Sequence, residues 1–316
     1  PIPTFIKKIN EIPNLLDTVL GIEGLVCGRG IHASGIYLFN NDYIEQSSLM
    51  RAPNGTPITC WSMEDNDLAG ALKEDCLTIE GLDKIRKCLD FLLKDNHPDV
   101  LNYDSPLMWE KVAKMEIMDL FQFETAVGGD CVQKIKPSNL KELALSNSLM
   151  RLSAYQGEMP MDKYARFKTN INFWYEEMKS FKLNKDEQDI LKKYVGESYG
   201  IAPEQEDIML LSMDPKISNF TIKEANLLRK AVAKKKKKIL DEAKELFYKK
   251  GAEAGTRINM LDYVWVYSIL PQAGYGFSKN HSVPYSAIAL QEMNLVEKYG
   301  PVYWNASCLT VNASAD

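Results

Sequence analysis

Lys73 and Asp75 stand two residues apart in the β-prone stretch Ala71 to Leu77. Side chains alternate across a strand, so the ammonium and the carboxylate share one face while Leu72 and Cys76 share the other. A carboxylate beside a lysine at a strand end suits a site that holds Mg2+ and receives phosphates, although such pairs also serve as ordinary solvated surface. A second set of cations, Arg229 and Lys230, directly follows the apolar pair Leu227-Leu228. Cations anchored on a packed helix are well placed to hold an anion, and arginine can grip a phosphate with two parallel N–H groups. The run Lys234, Lys235, Lys236, Lys237, Lys238 continues this segment and reads in two ways, as a solvated helix face or as a non-specific attraction for a phosphate backbone. The third set lies in Gly274-Tyr-Gly-Phe-Ser-Lys-Asn-His-Ser-Val-Pro-Tyr285, where two glycines flank an aromatic and are followed by Lys279, His281 and two serines. Such a loop lets backbone approach a ligand, supplies donors and offers a ring for stacking.

These residues need elements to hold them. Up to about residue 80 the pattern is mixed, with short β-prone runs at Ile36 to Phe39 and Ile58 to Trp61 and the turn-rich Pro53-Asn-Gly-Thr-Pro57 between them. Beyond residue 80 helical spacing takes over, first in Leu82, Ile85, Leu89 and Leu93, with Pro106 suited to the first turn of a further helix. Thr221-Ile-Lys-Glu224 and Asn184-Lys-Asp-Glu187 are capping-box sequences. The first opens a helix lined by Ile222, Ala225, Leu228, Ala231 and Val232. Its continuation through Ile239, Ala243, Leu246 and Phe247 is expected to end at Gly251 as the residue after the C-cap. A last helix is expected from near Tyr285. The fold class is therefore α+β, a small mixed part over residues 1–80 followed by a large, mainly helical part over 81–316.

Composition narrows the function classes. The net charge of −5 argues against a uniformly basic nucleic-acid coat while leaving room for the local patch between Lys223 and Lys250. No apolar run approaches the roughly 20 residues needed to span a bilayer, so no membrane association is expected. The six cysteines are scattered without a CxxC pair, and His32, His97 and His281 lie far apart, which argues against a disulfide framework or a histidine-rich metal cluster. The opening Pro1-Ile-Pro-Thr is neither a signal peptide nor a native start, and both ends read as cut. A cytoplasmic location is expected.

Six segments, in order, resemble the C-family replicative DNA polymerases, the alpha subunits of bacterial DNA polymerase III. Gly274 to Tyr285 resembles their Gly-Tyr-Gly-Phe-Asn-Lys-Ser-His-Ser-x-x-Tyr motif, and Gly30-Ile-His-Ala-Ser-Gly35 their Gly-x-His-Ala-x-Gly segment of the palm. Lys73-Glu-Asp75 resembles the family's Lys-x-Asp, and Phe121-Gln-Phe-Glu124 its Phe-Gln-x-Glu of the fingers. Gln205-Glu-Asp-Ile-Met209 and Leu227-Leu-Arg-Lys-Ala231 match Gln-Glu-x-x-Met and the Leu-Arg-Arg/Lys-Ala that precedes a lysine-rich run. The resemblance implies the rear of the palm over 1–80 and most of the fingers, truncated at their C-terminal end, over 81–316.

The resemblance also implies roles. Asp75 would bind a catalytic Mg2+ and Lys73 would lie by the phosphates of the incoming dNTP. Arg229 and Lys230 would face the triphosphate, with Lys279 and His281 lining the same pocket and Arg151 in a turn that departs from the family's pattern as Arg151-Leu-Ser-Ala154. Lys234 to Lys238 would touch DNA. The implied partners are primer-template DNA, dNTP and the remaining polymerase segments, an upstream palm piece with an Asp-x-Asp pair and the clamp-binding region. Glu74 replaces an apolar residue of the family, placing an extra carboxylate near the site or reflecting a shifted strand, and Cys27 replaces an arginine, with Arg29 nearby as a substitute. These departures imply a divergent, phage-borne member. Asp65-Asn-Asp67 has the spacing of the missing pair but is read as surface. The implied function is part of a DNA-directed DNA polymerase, inactive without the upstream palm. The rival readings are a non-catalytic nucleic-acid-binding helical module and a purely structural interaction protein.

Overall fold

The computed structural model describes residues 3–25, 31–32, 34–40, 42–94, 102–154, 157–233, 237–273 and 275–313. Gly30, Arg29, Cys27, Gly274, Lys234, Lys235 and Lys236 lie outside the described residues, as does the side chain of Lys237. The chain divides into two compact units, Pro1–Ile79 and Glu80–Asp316.

The first unit runs α1 (Pro3–Asn10), α2 (Leu15–Ile22), β1 (Gly35–Leu38), α3 (Tyr43–Gln46), β2 (Leu49–Arg51), β3 (Pro57–Thr59), α4 (Met63–Leu68) and β4 (Leu72–Asp75). The expected strands are present, the first moved by one residue and the other two shorter, and β2 is additional because three residues are too few to show alternation. β1 and β4 pair antiparallel with Gly35 opposite Asp75 and Tyr37 opposite Lys73, and β2 pairs with β3. The turn joining β2 to β3 closes through Gly55 N–H to Ala52 C=O at 2.8 Å, with Gly55 at φ 86°, a conformation that favours glycine. Pairing fixes faces. Ile36 sits opposite Glu74 and Leu38 opposite Leu72, so Glu74 belongs to the face away from Lys73 and Asp75. The extra carboxylate therefore does not join that pair. Asp65 is used locally, since its carboxylate and the Ser62 hydroxyl form the capping box of α4.

The second unit is helical: α5 (Glu80–Phe91), α6 (Pro106–Ala113), α7 (Ala126–Ile135), α8 (Leu140–Leu149), α9 (Pro160–Thr169), α10 (Asn172–Ser180) and α11 (Lys185–Val195). It continues with α12 (Gln205–Met213), α13 (Ile222–Ala233), α14 (Lys237–Glu253), α15 (Ile258–Val264), α16 (Lys279–Tyr299) and α17 (Pro301–Ala313). Asn184 and Thr221 cap α11 and α13 as their sequences require, and Pro106 occupies the first turn of α6. Its largest apolar core joins Tyr164, Phe167, Trp174, Phe247, Tyr263 and Trp265 from widely separated helices. Two of its polar tips are paired: Trp174 Nε1–H donates to Tyr263 Oη at 2.9 Å, and that hydroxyl donates to Glu177 at 2.8 Å, whereas the buried Tyr164 hydroxyl has no hydrogen-bond partner among the described residues. Elsewhere in this unit Glu292 on α16 is fully buried and accepts the Phe121 amide at 2.8 Å. Burial pushes its carboxyl well above the usual range.

Three expectations are corrected. Gly251 does not end its helix, which runs to Glu253 and turns at Gly255 with φ 75°. Gly251 is small because Leu261 packs onto it, where a Cβ would lie 2.4 Å from that side chain. The last long helix begins at Lys279 rather than near Tyr285, with Ser278 as N-cap and Pro284 inside it. That proline removes an amide from the helix interior, which is why the pattern reads as loop up to it. Leu93, at φ 53°, lies past the end of α5.

Candidate functional site

In the first unit, pairing of β1 with β4 presents Lys73 and Asp75 together. Lys73 Nζ donates to both oxygens of Asp75, at 2.7 and 2.8 Å. That hydrogen bond, with the ammonium's charge, holds the Asp75 carboxyl below its usual range and keeps it ionised. His32, which the sequence argument left without a role, joins them: its Nε2 is 3.4 Å from Lys73 Nζ and 3.6 Å from Asp75 Oδ1. His32 and Lys73 line an open cavity of about 1020 Å³ together with Ser34, Tyr37 and Trp61. Asp75 offers one ionised carboxylate to a hard cation. Among the described residues no group of three or more His, Cys, Asp or Glu is arranged to hold a metal ion.

The second unit gathers most of the remaining candidates around Tyr275-Gly-Phe277. The segment is held by α12: Gln205 N–H donates to Phe277 C=O at 2.8 Å, and the Gln205 side-chain amide donates to Gly276 C=O. The same Gln205 side chain accepts from Arg229 Nη1 at 2.9 Å, while Arg229 Nε donates to Asn226 at 3.0 Å. One glutamine thus ties α13 to the glycine-rich segment. Arg151, in the turn after α8, donates to Asn147 C=O at 3.1 Å, to Asn147 Oδ1 at 3.2 Å and to Gln122 Oε1. Its guanidinium lies 4.5 Å from the ring centre of Phe277 and 5.9 Å from that of Tyr275. The rings continue as a ladder: Tyr275 stacks on Phe277 (6.3 Å, 19°), followed by His281 at 6.0 Å and Tyr285 at 5.9 Å.

Charge is distributed unequally in this cluster. Lys279 pairs with Glu204 Oε2 at 3.5 Å and Asp207 Oδ1 at 3.8 Å. Burial would lower the Lys279 ammonium, but Asp207 and Glu204 outweigh it and raise it. Burial pushes Asp207 up to about 6. Glu204 is 1% exposed and also accepts from Ser148 Oγ at 3.3 Å and from Ser282 Oγ. Glu206 caps α16, accepting from Ser278 Oγ and the Lys279 amide. Arg151 and Arg229 are different: among the described residues every polar partner they have is a neutral amide or carbonyl, so their charges are not balanced locally. An anion can therefore be received there without displacing a carboxylate. Lys230 is exposed one position further round α13 and is not brought into the cluster, and Lys238 is exposed on α14. Gln205 and Gln122 were within recognised motifs, whereas Glu204 lies one residue outside its motif and was missed; only their spatial neighbours give all three roles.

No helix among the described residues is long and apolar enough to cross a membrane. Residues 81–255 match the family model of the bacterial DNA polymerase III alpha subunit finger domain, and residues 2–78 match that of the bacterial DNA polymerase III alpha NTPase domain. The chain is 46% identical, over 99% of its length, to a probable DNA polymerase YorL of Bacillus subtilis and equally to a DNA-directed DNA polymerase of Bacillus phage SPbeta. It is 28% identical over 96% of its length to DNA polymerase III subunit alpha of Saccharopolyspora erythraea. The chain spans about a quarter of the length of these relatives. With the finger-domain model covering more than half of it, the chain belongs to the bacterial DNA polymerase III alpha subunit family.

Proposed function

We propose that this chain is part of a DNA-directed DNA polymerase and contributes nucleotide- and DNA-binding residues to template-directed nucleotidyl transfer, residues 1–80 as the rear of the palm and 81–316 as most of the fingers. The observation that carries the reading is the pair Arg151 and Arg229, held among the described residues only by neutral groups, beside an aromatic ladder in which Phe277 is buried and Tyr275 and His281 are exposed. Two fixed guanidiniums without carboxylate partners suit a triphosphate, and the rings of Tyr275 and His281 suit a base or sugar face. His281 is exposed and Tyr275 is 49% exposed. Lys279, loosely paired and half exposed, can exchange Glu204 and Asp207 for phosphate oxygens. Lys230 and Lys234 to Lys238 are assigned to the DNA backbone, which is gripped by charge and not read by sequence.

Asp75 is assigned as one ligand of a catalytic Mg2+, an ion that keeps several waters and takes one or two carboxylates plus substrate phosphates. When bound, the ion lowers the pKa of the attacking primer hydroxyl and offsets charge on the leaving pyrophosphate. Lys73 keeps Asp75 ionised and in place, and neutralises phosphate charge beside it. The remaining ligands are assigned to an upstream palm segment, without which the chain is expected to be inactive. That segment, the clamp-binding region, primer-template DNA and dNTP are the partners of this reading, in the cytoplasm. A second reading, a non-catalytic nucleic-acid-binding module, draws support from Asp75 having both oxygens occupied by Lys73.

Equilibrium binding of a dNTP tests the assignment. Replacing Arg151 and Arg229 together by Ala is expected to weaken it by at least about tenfold, and unchanged affinity refutes it. Primer extension with an upstream palm segment supplied separates the two readings: activity that survives Asp75→Asn removes Asp75 from catalysis.

A further inference from the structure

We propose that His32 is a substrate-contacting residue, a neutral Nε2–H donor that shares with Lys73 the phosphate received beside Asp75. The inference rests on the assignment of Lys73 to the phosphates. It begins at the other ring nitrogen. His32 Nδ1 accepts two backbone hydrogen bonds, from Gly35 N–H at 2.6 Å and Ser34 N–H at 3.2 Å. A nitrogen that accepts cannot carry the proton, so the proton of the neutral imidazole sits on Nε2. Gly35 makes this possible. A Cβ there would lie 2.8 Å from His32 Nδ1, 3.0 Å from His32 Cγ and 3.1 Å from Lys73 Cε, so the absence of a side chain lets the amide reach the ring and lets the lysine stem pass.

The tautomer decides what Nε2 can do. Lys73 Nζ, 3.4 Å away, is also a donor, so the two cannot bond one another and instead converge on a common acceptor. Asp75 Oδ1 stands 3.6 Å from Nε2, beyond hydrogen-bond reach, and its carboxylate is already taken by Lys73. Among the described residues Nε2–H is thus a fixed donor without an acceptor, on a half-exposed ring that lines the cavity of about 1020 Å³. The Ser34 hydroxyl, buried and unpartnered among the described residues, lines the same cavity. A tetrahedral oxyanion can accept from an ammonium and an imidazole N–H at once, and it supplies the negative charge that water lacks.

The test uses the 316-residue chain with inorganic pyrophosphate as the probe. Long-range 1H–15N spectra of 15N-histidine-labelled protein are expected to show His32 protonated on Nε2, and an Nδ1-protonated ring overturns the proposal. His32→Asn keeps an acceptor where Nδ1 stood but removes the Nε2 donor. It is expected to leave the Ser34 and Gly35 amide resonances in place while weakening pyrophosphate about tenfold, the worth of one charge-assisted hydrogen bond. His32→Gln, whose amide nitrogen reaches the Nε2 position, is expected to recover part of that loss. If Lys73→Ala abolishes binding while His32→Asn binds like the unaltered chain, His32 has no such role and the Lys73 assignment stands. If pyrophosphate does not bind, both fall.

Discussion

Replacing Gly276 by Ala tests how the glycine-rich segment is coupled to Arg229. A Cβ at Gly276 would stand 2.8 Å from Gln205 Cγ, 3.2 Å from Gln205 Nε2 and 3.1 Å from Gln272 Oε1. The Gln272 end cannot retreat freely, because its amide nitrogen donates to Ala202 C=O and Glu204 C=O at 2.9 and 2.8 Å. Gln205 is therefore the group that must move. Moving it breaks its bond to Gly276 C=O and the bond it accepts from Arg229. One neutral hydrogen bond at about 0.5–1.5 kcal/mol and one charge-assisted bond at about 1.5–3 kcal/mol give a cost of about 2–4.5 kcal/mol. For a unit of this size each kcal/mol lowers the melting temperature by about 2–4 °C. The assay is a double-mutant cycle by urea unfolding. Gln205→Ala removes both the obstructing Cγ and the two bonds, so Gly276→Ala should cost much less in that background. dNTP binding followed in parallel should weaken, since Arg229 loses the group that aims it. An equal cost in both backgrounds, or no cost in the unaltered chain, refutes the coupling.

Other outcomes follow from the same structure. Asp207, moved by burial from an ordinary 3.8 to about 6, penalises the folded state at neutral pH by at most about 3 kcal/mol. Because its folded value is raised, the penalty is full above pH 6 and is relieved as pH falls through 6 towards 4; Asp207→Asn should remove that slope in urea midpoints measured between pH 7.5 and 4.5. Gly200, at φ 84° and with a built Cβ 2.4 Å from the Trp174 ring, should not accept alanine. Trp174 is 1% exposed and bonded to Tyr263, so Gly200→Ala is expected to cost about 3 kcal/mol or more in chemical denaturation, and a loss under 1 kcal/mol contradicts the packing. Replacing the five lysines Lys234 to Lys238 by Ser should reduce the slope of log affinity for duplex DNA against log salt by up to about 4.5, and an unchanged slope identifies the run as a solvated helix face.

Helix starts were legible because capping is local. Thr221 with Glu224 and Asn184 with Glu187 satisfy each other within one turn, and no distant residue is needed to predict it. Helix ends and breaks were less so. Gly251 has the composition of a stop, yet the helix passes through it because Leu261 needs the space. Pro284 has the composition of a break, yet α16 includes it. In both cases tertiary packing overrides a local preference of about 1–3 kcal/mol. β2 was invisible because a three-residue strand carries no period of its own.

The family was determined by the sequence itself, through ordered motifs whose residue types survive without any coordinates, and so was the α+β class with its change of pattern near residue 80. The side chains of Lys73 and Asp75 were placed on one face by alternation alone. What only the tertiary structure decided is which charges are balanced. Lys279 and Arg229 read alike in the sequence, but folding brings Glu204 and Asp207 to the lysine and only amides to the arginine. His32 likewise acquired its donor only when Gly35 and Ser34 turned their amides to its other nitrogen. Charge balance and tautomer depend on neighbours a few ångströms away that are remote in the chain or set by a turn, and no spacing rule encodes them.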